Sequence, residues 1–170
     1  PYAFASGILD FPAVLQGIRR LEQIQRRTGT RIVCEPKLGE QRDPAGIGWL
    51  QTAPIRIFSS AGIGICWDVG DHLLAGSAAD YFAQLNRWRN SIEVVHLHNV
   101  RFEATKYRWT PPHPSRSQVN SGFDMRRVIK SLPKKATIVA EYTPQRVATE
   151  AAIETSFSYL KALTQEEHNA

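Results

Sequence analysis

A chain of 170 residues is sized for one domain and can bury roughly two thirds of its unfolded surface without cross-links. With 42% hydrophobic and 22% charged residues it is not collagen-like, coiled-coil or disordered, and no run approaches the ~18 apolar residues of a membrane helix. Its 21 basic against 16 acidic residues, net +5, mildly favour an anionic small molecule. The basic residues are dispersed over solvated helix faces, so nucleic acid is not an expected partner.

The opening PYAFASGILDFPAV lacks a basic stretch followed by an apolar run, so no secretory leader is visible and a cytoplasmic location is expected. YAFAS (residues 2–6) is a short strand candidate. From Phe11 to Arg27, Val14, Leu15, Ile18, Leu21 and Ile24 recur at helical spacing, and Thr28-Gly29-Thr30 ends that helix. RIVCEP (31–36) begins a second strand, and KLGEQRDPAG (37–46) reads as a loop. GWLQTAPIRIFSSAG has room for a short helix, limited by Pro54. IGICWD (63–68) is an apolar run closed by an acid, and Ser77 is placed to cap a helix through Trp88. IEVVHLHNV (92–100) reads as one continuous strand. The polar stretch 101–121 reads as a long active-site loop, followed by a helix over Phe123–Leu132. ATIVAEY (136–142) is the fifth strand, and the last helix starts near Pro144.

Strands apolar on both faces and alternating with helices indicate an α/β fold with a helix-covered parallel sheet. Two architectures remain, an open sheet and a barrel of β/α units. Neither GxGxxG nor GxxxxGK occurs, which removes the usual reason to prefer a nucleotide-binding open sheet. Cys34 and Cys66 both lie in apolar runs and read as buried free thiols.

Four strands end in ionisable groups: Glu35, Asp68, His96 with His98, and Glu141. In a parallel β/α fold that edge binds ligands. Carboxylates against a packed interior need a cation, and three carboxylates with an imidazole suit one divalent ion, Mn²⁺, Co²⁺, Mg²⁺ or Zn²⁺, with open positions for substrate oxygens. The alternative is an ion-pair network with Arg101, Lys106 or Arg116. On a regular strand His96 and His98 point the same way, so either is a possible ligand. His72 is a possible ligand, base or cap. His113 belongs to the polar stretch, where it is free either to fold over the site or to face solvent.

GICWDVGDH (64–72), VVHLHN (94–99), NSGFDMRRVIKSL (120–132) and IVAEY (138–142) resemble the xylose-isomerase-like TIM-barrel superfamily. It holds sugar isomerases and epimerases, inosose dehydratases and metal-dependent apurinic endonucleases. The resemblance implies Glu35, Asp68, His96 and Glu141 as metal ligands, with Glu35 and Glu141 also the acid–base pair of the epimerase branch. His72, His98, Lys106, His113 and Arg116 are then the candidates for substrate contacts, with His72 also a candidate in catalysis. The chain departs from the pattern where Asp71 replaces the histidine after "DxG", where Asn99 replaces an acid, and where Asn120-Ser121-Gly122 replaces "GEG". Arg116 and Ala5-Ser6-Gly7 stand where further histidines are usual, and these losses count against the three-metal endonucleases.

A complete barrel takes about 250 residues, so the five units match its C-terminal part. Residues 1–170 are then one domain, with missing barrel units or a second copy expected to close the sheet. The leading expectation is a metal-dependent isomerase or epimerase of a small, sugar-like hydroxy-carbonyl compound. Metal-dependent hydrolysis, of a cobamide amide or less readily of DNA, is the second, and a non-catalytic binding or assembly module the third.

Overall fold

In the computed structural model, which describes residues 11–35, 55–70, 78–103, 106–114, 118–119, 123–141 and 149–168, the helix expected first forms as α1, Phe11–Thr28. Ile18 is buried and Leu21 packs on the same core, whereas Ile24 stands exposed on the last turn. Gly29 closes the helix at φ +69°, its N–H donating to the Gln25 carbonyl at 2.9 Å, a left-handed stop that favours glycine. Gln25 also ties α1 to the sheet. Its amide oxygen accepts from Ile32 N–H at 2.9 Å and its Nε2 donates to the Gly62 carbonyl at 3.1 Å.

Four parallel strands follow, β1 (Val33–Cys34), β2 (Gly64–Asp68), β3 (Ile92–Leu97) and β8 (Thr137–Ala140), side by side in that order. A short helix at residues 55–60 leads into β2, and α2 (Ala78–Trp88) with a 3₁₀ turn (Arg89–Ser91) leads into β3. Then α3 (Met125–Ser131) leads into β8, and α4 (Glu150–His168) closes the described chain. Ile65 and Trp67 on one face of β2, Val69 just past it, and Val95 and Leu97 on β3 are completely buried. They pack with Ile18, Tyr81, Leu85, Val128, Leu160 and Leu163 in one core. Because side chains alternate along a strand, Gly64, Cys66 and Asp68 belong to the other face.

Three expectations are corrected. The strand read over 92–100 breaks at His98, and the chain then pairs antiparallel, β4 (Asn99–Glu103) with β5 (Lys106–Thr110). The 101–121 stretch is therefore no plain loop. Its hairpin sets Val100 opposite Trp109 and Phe102 opposite Tyr107, an alternation a two-stranded ribbon needs. A smaller pair, β6 (Gln118–Val119) with β7 (Phe123–Asp124), precedes α3. Third, α3 starts later than expected, at its cap, where Asp124 accepts from Arg126 N–H at 3.0 Å; α4 is described from Glu150, with Thr149 accepting from Ala152 N–H at 3.2 Å. The YAFAS strand, the 37–46 loop, Ser77 and Pro144 lie outside the described residues.

The N-terminal edge of the sheet is tied by a bulge. Ile65 faces Ile92 but Cys66 faces Val94, so Glu93 is the extra residue. Arg31 forks onto both Glu93 carboxylate oxygens, with Nε to Oε2 at 2.6 Å, and also donates to the Gly62 carbonyl. A Cβ on Gly64 would stand 2.7 Å from Glu93 Cδ and 2.9 Å from Val33 Cγ1. Gly64→Ala is therefore expected to destabilise by about 1–3 kcal/mol, through overpacking between adjacent strands. Urea unfolding of the variant matching wild type would contradict this.

The same pair sets an acid dependence. Its hydrogen bond from Arg31 holds the Glu93 carboxyl below the ordinary carboxylate range. A carboxyl depressed in the folded state adds stability above its unfolded pKa, and that stability disappears as pH falls through the folded value. Both side chains are more than one third exposed, so the contribution is at most about 1 kcal/mol. Denaturation curves of wild type and Glu93→Gln are expected to differ at pH 7 and to converge toward pH 3. A gap that widens in acid would refute the assignment.

Candidate metal centre

The parallel strands deliver their ionisable groups at one edge. Glu35 is the first residue past β1, Asp68 the last of β2, His96 the penultimate residue of β3 and Glu141 the first past β8. Register brings them level: Asp68 is the strand partner of His96, and Glu141 N–H donates to the Leu97 carbonyl at 3.1 Å. All four expected ligands therefore belong to one edge of one sheet.

His96 Nδ1 lies 2.9 Å from Glu141 Oε2 and 3.1 Å from Glu35 Oε2, between carboxylates from strands on either side. Both are ion-pair distances, although among the described residues neither contact has hydrogen-bond alignment. Asp68 is 1% exposed and His98 completely buried, with Asp68 Oδ1 3.2 Å from His98 Nε2. Gly70 N–H donates to that same nitrogen at 3.0 Å.

The ligating atoms form two sets, each within 4.8 Å: Glu35, Cys66 and His96, and Asp68, His98 and Glu141. Acceptors converge here with carboxylates on both sides of an imidazole, an arrangement a divalent cation would stabilise. The residues present therefore fit a metal ion. The four expected ligands are divided between the two sets, Glu35 and His96 with Cys66 in one, Asp68 and Glu141 with His98 in the other.

Cys66 was not anticipated at the site. Its place two residues before Asp68 on a strand was the available signal, because a period of two sets both on one face. Burial first, then the charges of Glu35, Asp68 and Glu141, push its thiol up to about 12. His98, expected as a substrate contact or ligand, lies in the buried layer beside Asp68. His113 is half-buried after β5 and belongs to neither ligand set. Lys106 begins β5, though its side chain is not described, and His72 and Arg116 lie outside the described residues. The expected alternative of ion pairs to Arg101, Lys106 or Arg116 lies outside the described side chains as well.

Among the described residues no helix is long and apolar enough to cross a membrane. No protein-family model matches the chain, and no curated protein does either. Among solved structures it is similar to a xylose isomerase-like TIM barrel protein from Mycobacterium smegmatis, determined in complex with magnesium. The TM-score is 0.57 at 16% identity, over 94% of this chain and 54% of that one, so this chain spans about half the length of its neighbour. With its parallel sheet and flanking helices, the chain has the fold of a partial xylose isomerase-like (β/α) barrel.

Proposed function

We propose that this chain carries the metal centre and acid–base pair of a divalent-metal-dependent isomerase or epimerase, acting by proton transfer on a small sugar-like hydroxy-carbonyl compound. The observation that carries this reading is the placement of two carboxylates around one imidazole at a barrel's ligand edge. The Glu35 and Glu141 side chains are 19% and 44% exposed, while Asp68 is closed off. A buried acid serves as an anchor, whereas the two open ones can meet a substrate.

A bound divalent ion supplies Lewis-acid polarisation of a carbonyl and its neighbouring hydroxyl. Glu141, the more open carboxylate, takes the proton from the carbon beside the carbonyl, and Glu35 on the far side of His96 returns or relays it. His98 lies against Asp68 in the buried part of the site. The 101–121 stretch leaves the C-terminal end of β3 through the hairpin, so Lys106, His113 and Arg116 are assigned to the distal hydroxyls or an anionic substituent. His72 follows the end of β2 and is assigned to the same rim.

The test is proton exchange. The protein, supplied in turn with Mg²⁺, Mn²⁺, Co²⁺ and Zn²⁺, is incubated with a panel of ketoses and their acid derivatives in deuterated buffer. Deuterium at the carbon beside the carbonyl is the expected result, read by NMR. No exchange with any ion or substrate would count against the isomerase reading, and amide cleavage under the same conditions would assign the centre to hydrolysis.

A further inference from the structure

We infer that Cys66 is itself a metal ligand, and that Glu35, Cys66 and His96 form an oxygen–sulfur–nitrogen set which takes a thiophilic divalent ion such as Zn²⁺ or Co²⁺. This rests on the metal reading of the site and adds to it a ligand that carboxylate and imidazole chemistry does not require.

Three observations carry it. The Cys66 sulfur and the ligating atoms of Glu35 and His96 lie within 4.8 Å of one another, close enough to share one ion after modest side-chain adjustment. Cys66 also shares the strand face of Asp68, so β2 presents two potential ligands two residues apart toward the same edge. Finally, the neighbouring His96 nitrogen sits 2.9 and 3.1 Å from two carboxylate oxygens without hydrogen-bond alignment to either, among the described residues.

Cys34 supplies the contrast. It is the only other cysteine in the sequence, it alternates with Glu35 along the chain, and it packs against the hydrophobic core. Neither ligand set includes it.

The chemistry balances without an oxidant or reductant. The S–H bond breaks, a sulfur–metal bond forms, and the proton passes to buffer. Thiolate is a soft donor, so it raises affinity for Zn²⁺ and Co²⁺ much more than for Mg²⁺. The set thus predicts discrimination among ions that an all-carboxylate centre would not show.

Cobalt provides a readout independent of turnover. The full chain, stripped of metal and kept reduced, is titrated with Co²⁺ while its electronic spectrum is recorded. A near-ultraviolet thiolate-to-cobalt charge-transfer band is expected together with the visible ligand-field bands. Cys66→Ser should lose the first and keep the second, and its Zn²⁺ affinity should fall by roughly tenfold or more. Cys34→Ser should keep both, and because Cys66 is then the sole cysteine, a persistent band assigns the sulfur even where Cys66→Ser fails to fold. Visible bands without charge transfer in wild type, or a Cys66→Ser spectrum and affinity equal to wild type, would overturn the thiolate ligand and leave the carboxylate centre standing. Absence of any Co²⁺ binding would overturn both.

Discussion

Glu141→Gln is expected to lower metal-dependent deuterium exchange by roughly 10²–10⁴-fold, with the fold intact. Glutamine keeps the shape of glutamate but cannot accept the transferred proton, and at 44% exposure its side chain disturbs little packing. The same exchange at Glu35 should give a loss of similar size. Both residues are also candidate ligands, so weaker metal binding is expected beside slower exchange. The two effects separate at saturating metal, where a ligand deficit is made good and a missing base is not. A Glu141→Gln protein that recovers to within about threefold of wild type at high metal would restrict the residue to coordination. His98→Gln offers a useful comparison. His98 touches Asp68 in the buried layer, so its loss should act on metal affinity first. A much larger fall in exchange than in affinity would place His98 in the chemistry instead.

The ligand edge was legible in the sequence because parallel strands must be apolar through their length, so an ionisable group at each end stands out. Glu35, Asp68, His96 and Glu141 were readable in this way, and the sheet brings them to one edge. Depth was not readable. On a regular strand His96 and His98 are equivalent, and only the end of β3 at Leu97, with Asp68 and Gly70 N–H beside the second ring, separates them. Cys66 looked like any buried thiol because an apolar run does not say which face meets the core. The β4–β5 hairpin was hidden in a polar stretch rich in Arg and Pro, although Val100, Phe102, Tyr107 and Trp109 alternate with polar residues. The delayed start of α3 follows a local rule that the sequence does contain. Asp124 is a good cap, and a cap overrides apolar spacing that runs on before it.

Trp67→Ala is expected to cost about 3–5 kcal/mol, a large share of a domain's marginal stability. Trp67 is fully buried between Cys66 and Asp68 on β2, facing the helices while they face the metal edge. Its indole meets Tyr81 edge-on at 6.0 Å between ring centroids, and its N–H donates to the Tyr81 hydroxyl at a long 3.4 Å. Most of its contribution is therefore volume and ring packing. Tyr81→Phe, which removes only the hydroxyl, should cost no more than about 1 kcal/mol. The cavity on the helix side also loosens the strand that carries two candidate ligands, which links core stability to the site. An ion that binds only the folded chain adds about 2.7 kcal/mol at a hundred times its dissociation constant. Saturating Zn²⁺ or Co²⁺ should then recover much of the stability lost in Trp67→Ala, as read by thermal unfolding. Trp67→Ala combined with Glu35→Gln and Glu141→Gln should gain far less from the same ion. Equal recovery in both proteins would show that the ion stabilises the chain from somewhere other than the edge where β1, β2, β3 and β8 end.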